Sequence, residues 1–133
     1  IDRLIRDCRE LAEQGIGCVA IMSNDVAAYP EDSPEAMRRW ASELAFPFPY
    51  LYDATQEIAQ AYGAVCTPDF FGYNARLELQ YRGRLDASGR NAAPPDARRE
   101  LFEAMREIGQ TGTGPREQQA SIGCSIKWRT SDT

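Results

Sequence analysis

The stretch that decides the fold is Val65-Cys66-Thr67-Pro68-Asp69-Phe70-Phe71, which lies between a helical pattern ending at Gly63 and an apolar run reaching Leu79. Proline cannot donate a hydrogen bond to a sheet, so Pro68 belongs at the first residue of a strand, on an edge or in a turn. The bond before a proline is also the one peptide bond for which the cis form costs little. Two interpretations of Thr67-Pro68 are open: a trans proline that opens a strand, and a cis proline at a corner.

The residues ahead of this corner predict helices alternating with strands. Apolar residues at helical spacing, closed by glycines, predict a first helix, and a continuous apolar run predicts a central strand covered on both faces. Ser33 is the expected N-cap of the second helix, with Pro34 as its first residue, and Asp53 is the expected cap of the third. The predicted elements are helix 1–14, strand 16–22, helix 34–45, strand 50–52 and helix 53–62.

The residues after the corner predict an antiparallel hairpin and a closing helix. The strands are expected at 70–73 and 77–84, around a turn at 74–76, and the last helix is expected to be capped by Asp96 and ended by Gly109. This order predicts an α/β fold with a mixed central sheet flanked by helices, and in this context it favours the cis form of Pro68. We expect a domain at 1–109 and a tail at 110–133 that docks on it through the apolar patch 122–128.

Composition narrows the possible functions. The net charge of −5, with acids interleaved among the bases, argues against nucleic-acid binding, and no apolar run approaches a membrane span or reads as a signal peptide. The 133 residues contain no histidine, which excludes Ser-His-Asp and Cys-His catalysis and most catalytic zinc sites. We expect no cofactor and no metal.

The four cysteines, Cys8, Cys18, Cys66 and Cys124, form no CxxC pair and fit no zinc-binding template. A mostly reduced, cytoplasmic protein is therefore expected. Cys8 lies on the apolar face of the first helix and Cys18 inside the first predicted strand, so both are interpreted as buried packing residues. Asn24 and Asp25, at the carboxyl end of that strand, could be site residues, or turn and cap residues.

Several segments resemble the bacterial thioredoxin-like proteins of the peroxiredoxin superfamily, described as alkyl hydroperoxide reductase/thiol-specific antioxidant-like. The resembling segments are YGAVCTPDFFGYN (62–74), ELQYRGRLDAS (78–88), SIGCSIKW (121–128) and SNDVAAYPEDS (23–33). The resemblance implies a thioredoxin-like fold with a cis Pro68, at which Thr67 and Pro68 bind the substrate. It also implies a redox C-x-x-C-like motif at the amino end of the helix that 1–14 continues. That motif is absent here, and we interpret the chain as N-terminally truncated.

The resemblance implies an antioxidant, thiol-dependent oxidoreductase, either a peroxidase or a disulfide reductase, whose attacking cysteine precedes Ile1. Its partners would be a peroxide or disulfide substrate and a thiol reductant. A thiolate at a helix N-terminus is stabilised by the helix dipole, which makes such a placement reactive near neutral pH. Cys124 could be the resolving thiol or a packed tail residue, and Cys66 could be redox active or structural.

Two other functions stay open at this point. The chain could be a non-catalytic thioredoxin-fold module that binds a partner, with the tail as its docking element. It could also form a homodimer through a sheet edge left bare by the lacking first strand, because unpaired edges recruit other chains.

Overall fold

The computed structural model describes residues 1–87 and 98–129. Within these ranges helices and short strands alternate, and a single 3₁₀ turn spans Pro30–Asp32. The helices are α1 (Asp2–Glu13), α2 (Pro34–Glu43), α3 (Glu57–Tyr62) and α4 (Glu100–Thr111). The strands are β1 (Ala20–Met22), β2 (Tyr50–Tyr52), β3 (Cys66–Thr67), β4 (Phe70–Tyr73), β5 (Leu79–Gly83) and β6 (Cys124–Ser125).

The chain divides into two compact units. The first, here called the hairpin unit, combines Ile1–Ile16 with Cys66–Cys124. The second, here called the parallel-strand unit, combines Gly17–Val65 with the part of the tail from Ser125 onward. The domain boundary expected between residues 109 and 110 stays a prediction.

The hairpin unit is built on the antiparallel pair β4–β5, whose register joins Phe70 to Gly83 and shifts after Gly72. Helix α4 packs on this pair and on α1. The buried cluster at its centre comprises Tyr81, Leu101, Ala104 and Ile108. The hairpin and closing helix expected from the sequence are therefore present, and β5 is shorter than the predicted strand by two residues at its start and one at its end.

A buried ion pair connects α1 to the start of α4. Asp7 is 1% exposed, and its carboxylate accepts a hydrogen bond from the Arg99 guanidinium at 3.0 Å. Arg99 also contacts the Glu10 carboxylate and lies 3.7 Å from the centre of the Phe102 ring. Because a buried carboxylate is costly without a partner, this contact holds the two helices in one register.

The parallel-strand unit is built on the parallel pair β1–β2, which joins Ala20 to Tyr50 and Met22 to Tyr52. Helix α2 packs on β2 and begins as predicted, with Pro34 in its first turn and the Ser33 hydroxyl accepting a hydrogen bond from the Ala36 amide at 3.2 Å. The serine satisfies one of the amides that a helix start leaves unpaired.

The predicted N-cap of α3 is wrong, because the helix begins at Glu57 and its N-cap is Gln56, although the Asp53 side chain still caps first-turn amides. The carboxylate of Asp53 is 3% exposed and accepts hydrogen bonds from the amides of Ala59 at 2.9 Å and Ile58 at 3.3 Å. It also accepts one from the Ser23 hydroxyl at 2.8 Å. The same side chain therefore joins the start of α3 to the end of β1.

The first strand is shorter than predicted and is not buried on both faces. Only Ala20–Met22 pairs, and Val19 and Ile21 are 58% and 39% exposed, so this run is not covered on both faces. A ladder extends no further than its partner, and the partner β2 is limited to three residues by the prolines ahead of Tyr50.

The last helix also ends later than predicted. Gly109 lies inside α4, which continues to Thr111 and is closed by Gly112 at a φ of +81°. A positive φ favours glycine because glycine has no Cβ to clash with the backbone. The expected cap at Asp96 lies outside the described residues. Helix α2 ends at Glu43, before the predicted Ala45, and α1 is one residue shorter than predicted at each end.

Candidate functional site

The Thr67–Pro68 corner lies in the hairpin unit, between β3 and β4. The peptide bond between the two residues is cis, the form that the sequence favoured, and both residues are exposed. The next residue, Asp69, has a side chain that is 6% exposed and that pairs with the Arg82 guanidinium at 3.3 Å. Arg82 in turn lies 5.0 Å from the centre of the Phe71 ring. The corner is thus accessible on one side and held by a charged contact on the other.

Cys66 lies two residues before the corner with a partly buried thiol. Its sulfur is 3.7 Å from the carbonyl oxygen of Pro68 and 3.9 Å from that of Ser121. Burial raises the pKa of the Cys66 thiol, the Asp69 carboxylate raises it further, and Arg82 partly opposes them. Because the thiolate is the nucleophile, a raised pKa makes Cys66 less reactive at neutral pH than an ordinary cysteine.

Cys124 lies on β6, which pairs with β3, so the tail brings this cysteine beside the strand that contains Cys66 and Thr67. Cys124 is exposed. The preceding residue is Gly123, and a Cβ there would overlap the carbonyl oxygen of Thr67. Glycine is therefore required by the close approach of two backbones, and it positions the cysteine that follows it.

The tail ahead of Cys124 is bound along β5. The Arg84 amide donates to the Gln119 carbonyl at 3.0 Å, and the Ser121 hydroxyl donates to the Gly83 carbonyl at 2.6 Å. The Gln118 side chain accepts from the Arg82 amide at 2.9 Å and donates to the Gln80 carbonyl at 2.8 Å. These contacts hold the segment that carries Cys124.

The structure therefore brings together the four residues expected at the site: Cys66, Thr67, Pro68 and Cys124. All four cysteines of the chain fall within the described residues, and all are thiols without a disulfide. Cys8 is buried, as predicted, at 6% exposure. Cys18 is only partly buried and precedes β1, which corrects its predicted place inside a strand.

Asn24 and Asp25 lie in the parallel-strand unit, where they bind the tail. The Lys127 amide donates to the Asn24 side chain at 2.9 Å, and the Asp25 amide donates to the Lys127 carbonyl at 2.7 Å. Gln56, which the sequence did not single out, binds the same segment and has a positive φ of 65°. A positive φ at a residue other than glycine, asparagine or aspartate has no sequence signature, so no pattern could have indicated this role.

The described part of the chain contains no group of three or more His, Cys, Asp or Glu residues that could hold a metal ion. Among its helices, none combines the length and the apolar character that crossing a membrane requires.

A helix–strand alternation followed by a cis-proline corner, a hairpin and a closing helix defines a protein of the thioredoxin-like fold. Residues 1–88 match the AhpC/TSA family, and the chain belongs to that family. Membership indicates a thiol-dependent redox function in general. No curated protein shows a significant match to the chain.

Two solved structures of bacterial proteins are similar to this chain over nearly its whole length. An uncharacterized conserved protein from Geobacillus kaustophilus is 47% identical with a TM-score of 0.87, and the match covers 96% of this chain and 68% of that one. A hypothetical protein from Sinorhizobium meliloti 1021 is 38% identical with a TM-score of 0.85, covering 96% of this chain and 70% of that one.

Proposed function

We propose that the protein is a thiol-dependent oxidoreductase that reduces a peroxide or a disulfide, with its attacking cysteine in a segment ahead of Ile1 and Cys124 as the second thiol. The observation that carries the proposal is an exposed thiol held on β6 beside the Thr67–Pro68 corner, in a chain of the AhpC/TSA family. The exposure lets the Cys124 thiol meet another sulfur, and the pairing of β6 with β3 holds it close to the corner.

Cys66 and Cys8 are less suited to attack a substrate. Burial raises the pKa of the Cys66 thiol, and its sulfur lies against two carbonyl oxygens, of Pro68 and Ser121. Cys8 is 6% exposed on the packed face of α1. The raised pKa of Cys66 disfavours its thiolate and the burial of Cys8 keeps substrates from its sulfur, so we assign both cysteines to packing.

The chemistry needs two thiols and an external reductant. With a peroxide, the attacking thiolate forms an S–O bond while the O–O bond breaks, and the leaving oxygen takes up a proton as water or an alcohol. The Cys124 thiolate then attacks the resulting sulfenic sulfur, so that an S–S bond forms and water leaves. A dithiol reduces this disulfide and returns both thiols. With a disulfide substrate the first step is thiol–disulfide exchange in place of the attack on oxygen.

The test uses the natural protein with the residues that precede Ile1, and it follows hydrogen peroxide consumption at the expense of dithiothreitol. We expect Cys124→Ser to retain one oxidation per molecule, with a sulfenic acid that dimedone traps, and to lose most multiple turnover. The matched control, Cys66→Ser, should retain turnover. Alkylation of the reduced protein with iodoacetamide at pH 7.5 should modify Cys124 before Cys66.

The proposal is wrong if turnover persists after every cysteine ahead of Ile1 is replaced by serine. A folded natural protein that consumes neither peroxide nor a model disulfide would instead support the alternative, a non-catalytic binding module of the same fold.

A further inference from the structure

The last described residues of the tail lie against a surface of the parallel-strand unit, here called the groove, that is formed by Asn24, Asp25, Gln56 and Val65. Ile126 is the anchor, since it is 5% exposed while its neighbours Ser125 and Trp128 are exposed. Its amide donates to the Val65 carbonyl at 3.3 Å. One aliphatic side chain thus enters the protein, and the rest of the segment lies along the surface.

The main chain of Lys127 is bound on both sides. Its amide donates to the Asn24 side-chain oxygen at 2.9 Å, and its carbonyl accepts from the Asp25 amide at 2.7 Å. The side-chain nitrogen of Asn24 donates to the Asp32 carboxylate at 3.0 Å, and this contact orients the side-chain oxygen of Asn24 toward the tail. The groove therefore presents one acceptor and one donor to the main chain of Lys127.

Gln56 is the central residue of the groove. Its side-chain nitrogen donates to the carbonyls of Ser23 at 2.7 Å and Lys127 at 3.0 Å, and its oxygen accepts from the Arg129 amide at 3.0 Å. With the tail bound the residue is 4% exposed, and two of the three hydrogen-bond partners of its side chain belong to the tail. Its φ of +65° is a conformation that a glutamine adopts rarely, and residues held in such conformations concentrate at functional sites.

The hydrogen bonds between the tail and the residues Asn24, Asp25, Gln56 and Val65 all involve main-chain atoms of the tail. Main-chain recognition is how proteins bind extended peptides of varied sequence, with pockets for single side chains adding selectivity. In this groove the one buried side chain is the anchor at Ile126, and the Lys127 ammonium lies over the Tyr29 ring at 6.0 Å from its centre.

We propose that Asn24, Asp25 and Gln56 form a binding site for an extended polypeptide segment, and that residues 126–129 occupy it as an internal ligand. The segment that the site accepts carries an aliphatic residue at the first position and amide N–H groups at the second and fourth. A partner polypeptide with this pattern binds when the tail is displaced. This inference does not depend on the redox chemistry proposed above.

The tethered tail competes with any such partner, because a segment linked to its own site has an effective concentration of order millimolar. A free peptide at micromolar concentration should therefore bind weakly to the intact protein. It should bind at least about tenfold more tightly once the internal ligand is weakened.

The test measures fluorescence anisotropy of a fluorescein-labelled Ser-Ile-Lys-Trp-Arg peptide, the sequence of residues 125–129, added to the full chain. Binding of the tail to the groove is weakened by Ile126→Asp and, as a milder change, by Ile126→Ala. Circular dichroism checks that each variant is folded. We expect binding at least about tenfold tighter than to the intact protein. Binding should be lost when Gln56→Ala is added and retained with the matched control Gln60→Ala, an exposed glutamine on α3.

The peptide supplies a second control. Alanine in place of its lysine should weaken binding by no more than about fivefold, because only the contact of the ammonium with the Tyr29 ring is lost. Proline there removes the amide hydrogen that Asn24 accepts and should abolish binding. The proposal is overturned if a folded Ile126 variant binds the peptide no better than the intact protein, or if binding survives Gln56→Ala or the proline peptide.

Discussion

Tyr81 makes the stability of the hairpin unit sensitive to alkaline pH. Its side chain is 2% exposed in the centre of the core, and its hydroxyl donates to the Arg84 carbonyl at 2.6 Å. Burial, reinforced by the Glu100 carboxylate and opposed by Arg84, raises the pKa of Tyr81 to about 12. The perturbation that tests this is Tyr81→Phe, which keeps the ring and removes the ionisable hydroxyl.

Two opposing terms set the expected result. At pH 7 the variant lacks one hydrogen bond and should be less stable by about 1 kcal/mol. A folded-state pKa above the unfolded one contributes stability that is present below the unfolded value and lost as the pH rises through the folded value. A rise from 10.0 to about 12 corresponds to about 3 kcal/mol in total, of which about half is lost by pH 11. The difference between the two proteins should therefore vanish or reverse near pH 11.

The assay is urea denaturation followed by circular dichroism, at pH 7 and at steps up to pH 11. The matched control is Tyr62→Phe, which removes the hydroxyl of a tyrosine that is 42% exposed. If the difference between the unaltered protein and Tyr81→Phe is constant from pH 7 to pH 11, the account of the buried hydroxyl is refuted.

Two further predictions concern the tail and the α3 cap. Gly123→Val places a side chain against the Thr67 carbonyl, so β6 should separate from β3 and Cys124 should react several-fold faster with Ellman's reagent. The control Gly17→Ala, at a glycine with open space around it, should leave the reaction rate unchanged. An unaltered rate in Gly123→Val would contradict the close approach of the two backbones. Asp53→Ala removes a buried carboxylate that accepts three hydrogen bonds, so it should lower the free energy of unfolding by about 2–4 kcal/mol in chemical denaturation. Asp53→Asn should lower it less. Equal losses in the two variants would mean that these hydrogen bonds are not the cause of the lost stability.

Local chemistry made part of the fold predictable. Ser33 followed by Pro34 indicated a helix start because a hydroxyl acceptor and a residue without an amide suit that position in any protein. The corner at Thr67-Pro68 was predictable for a related reason, since proline restricts its own backbone and that of its neighbour. At these positions the residues themselves determine the backbone, and the structure agrees with the sequence.

The sequence-based predictions fail where residues that are distant in the chain determine the bounds of an element. The apolar run from Ile16 suggested a long strand, but the short partner β2 limits the pairing to three residues. Gly109 and Gly112 are equally able to end a helix, and packing decided between them, because Ile108 is 3% exposed in the core and α4 continues past it. That Cys66, Thr67, Pro68 and Cys124 form the functional site stays a prediction. The contacts of Gln56 with the tail could be found only from the structure.

The ammonium of Lys127, which lies near the Tyr29 ring, belongs to the only lysine among the 133 residues. An amine-reactive dye attached to this side chain would therefore place a reporter within the segment that occupies the groove. Attachment to a surface through this lysine would hold the protein at the same segment, so tethering through an engineered cysteine elsewhere is the better choice for measuring how the tail moves.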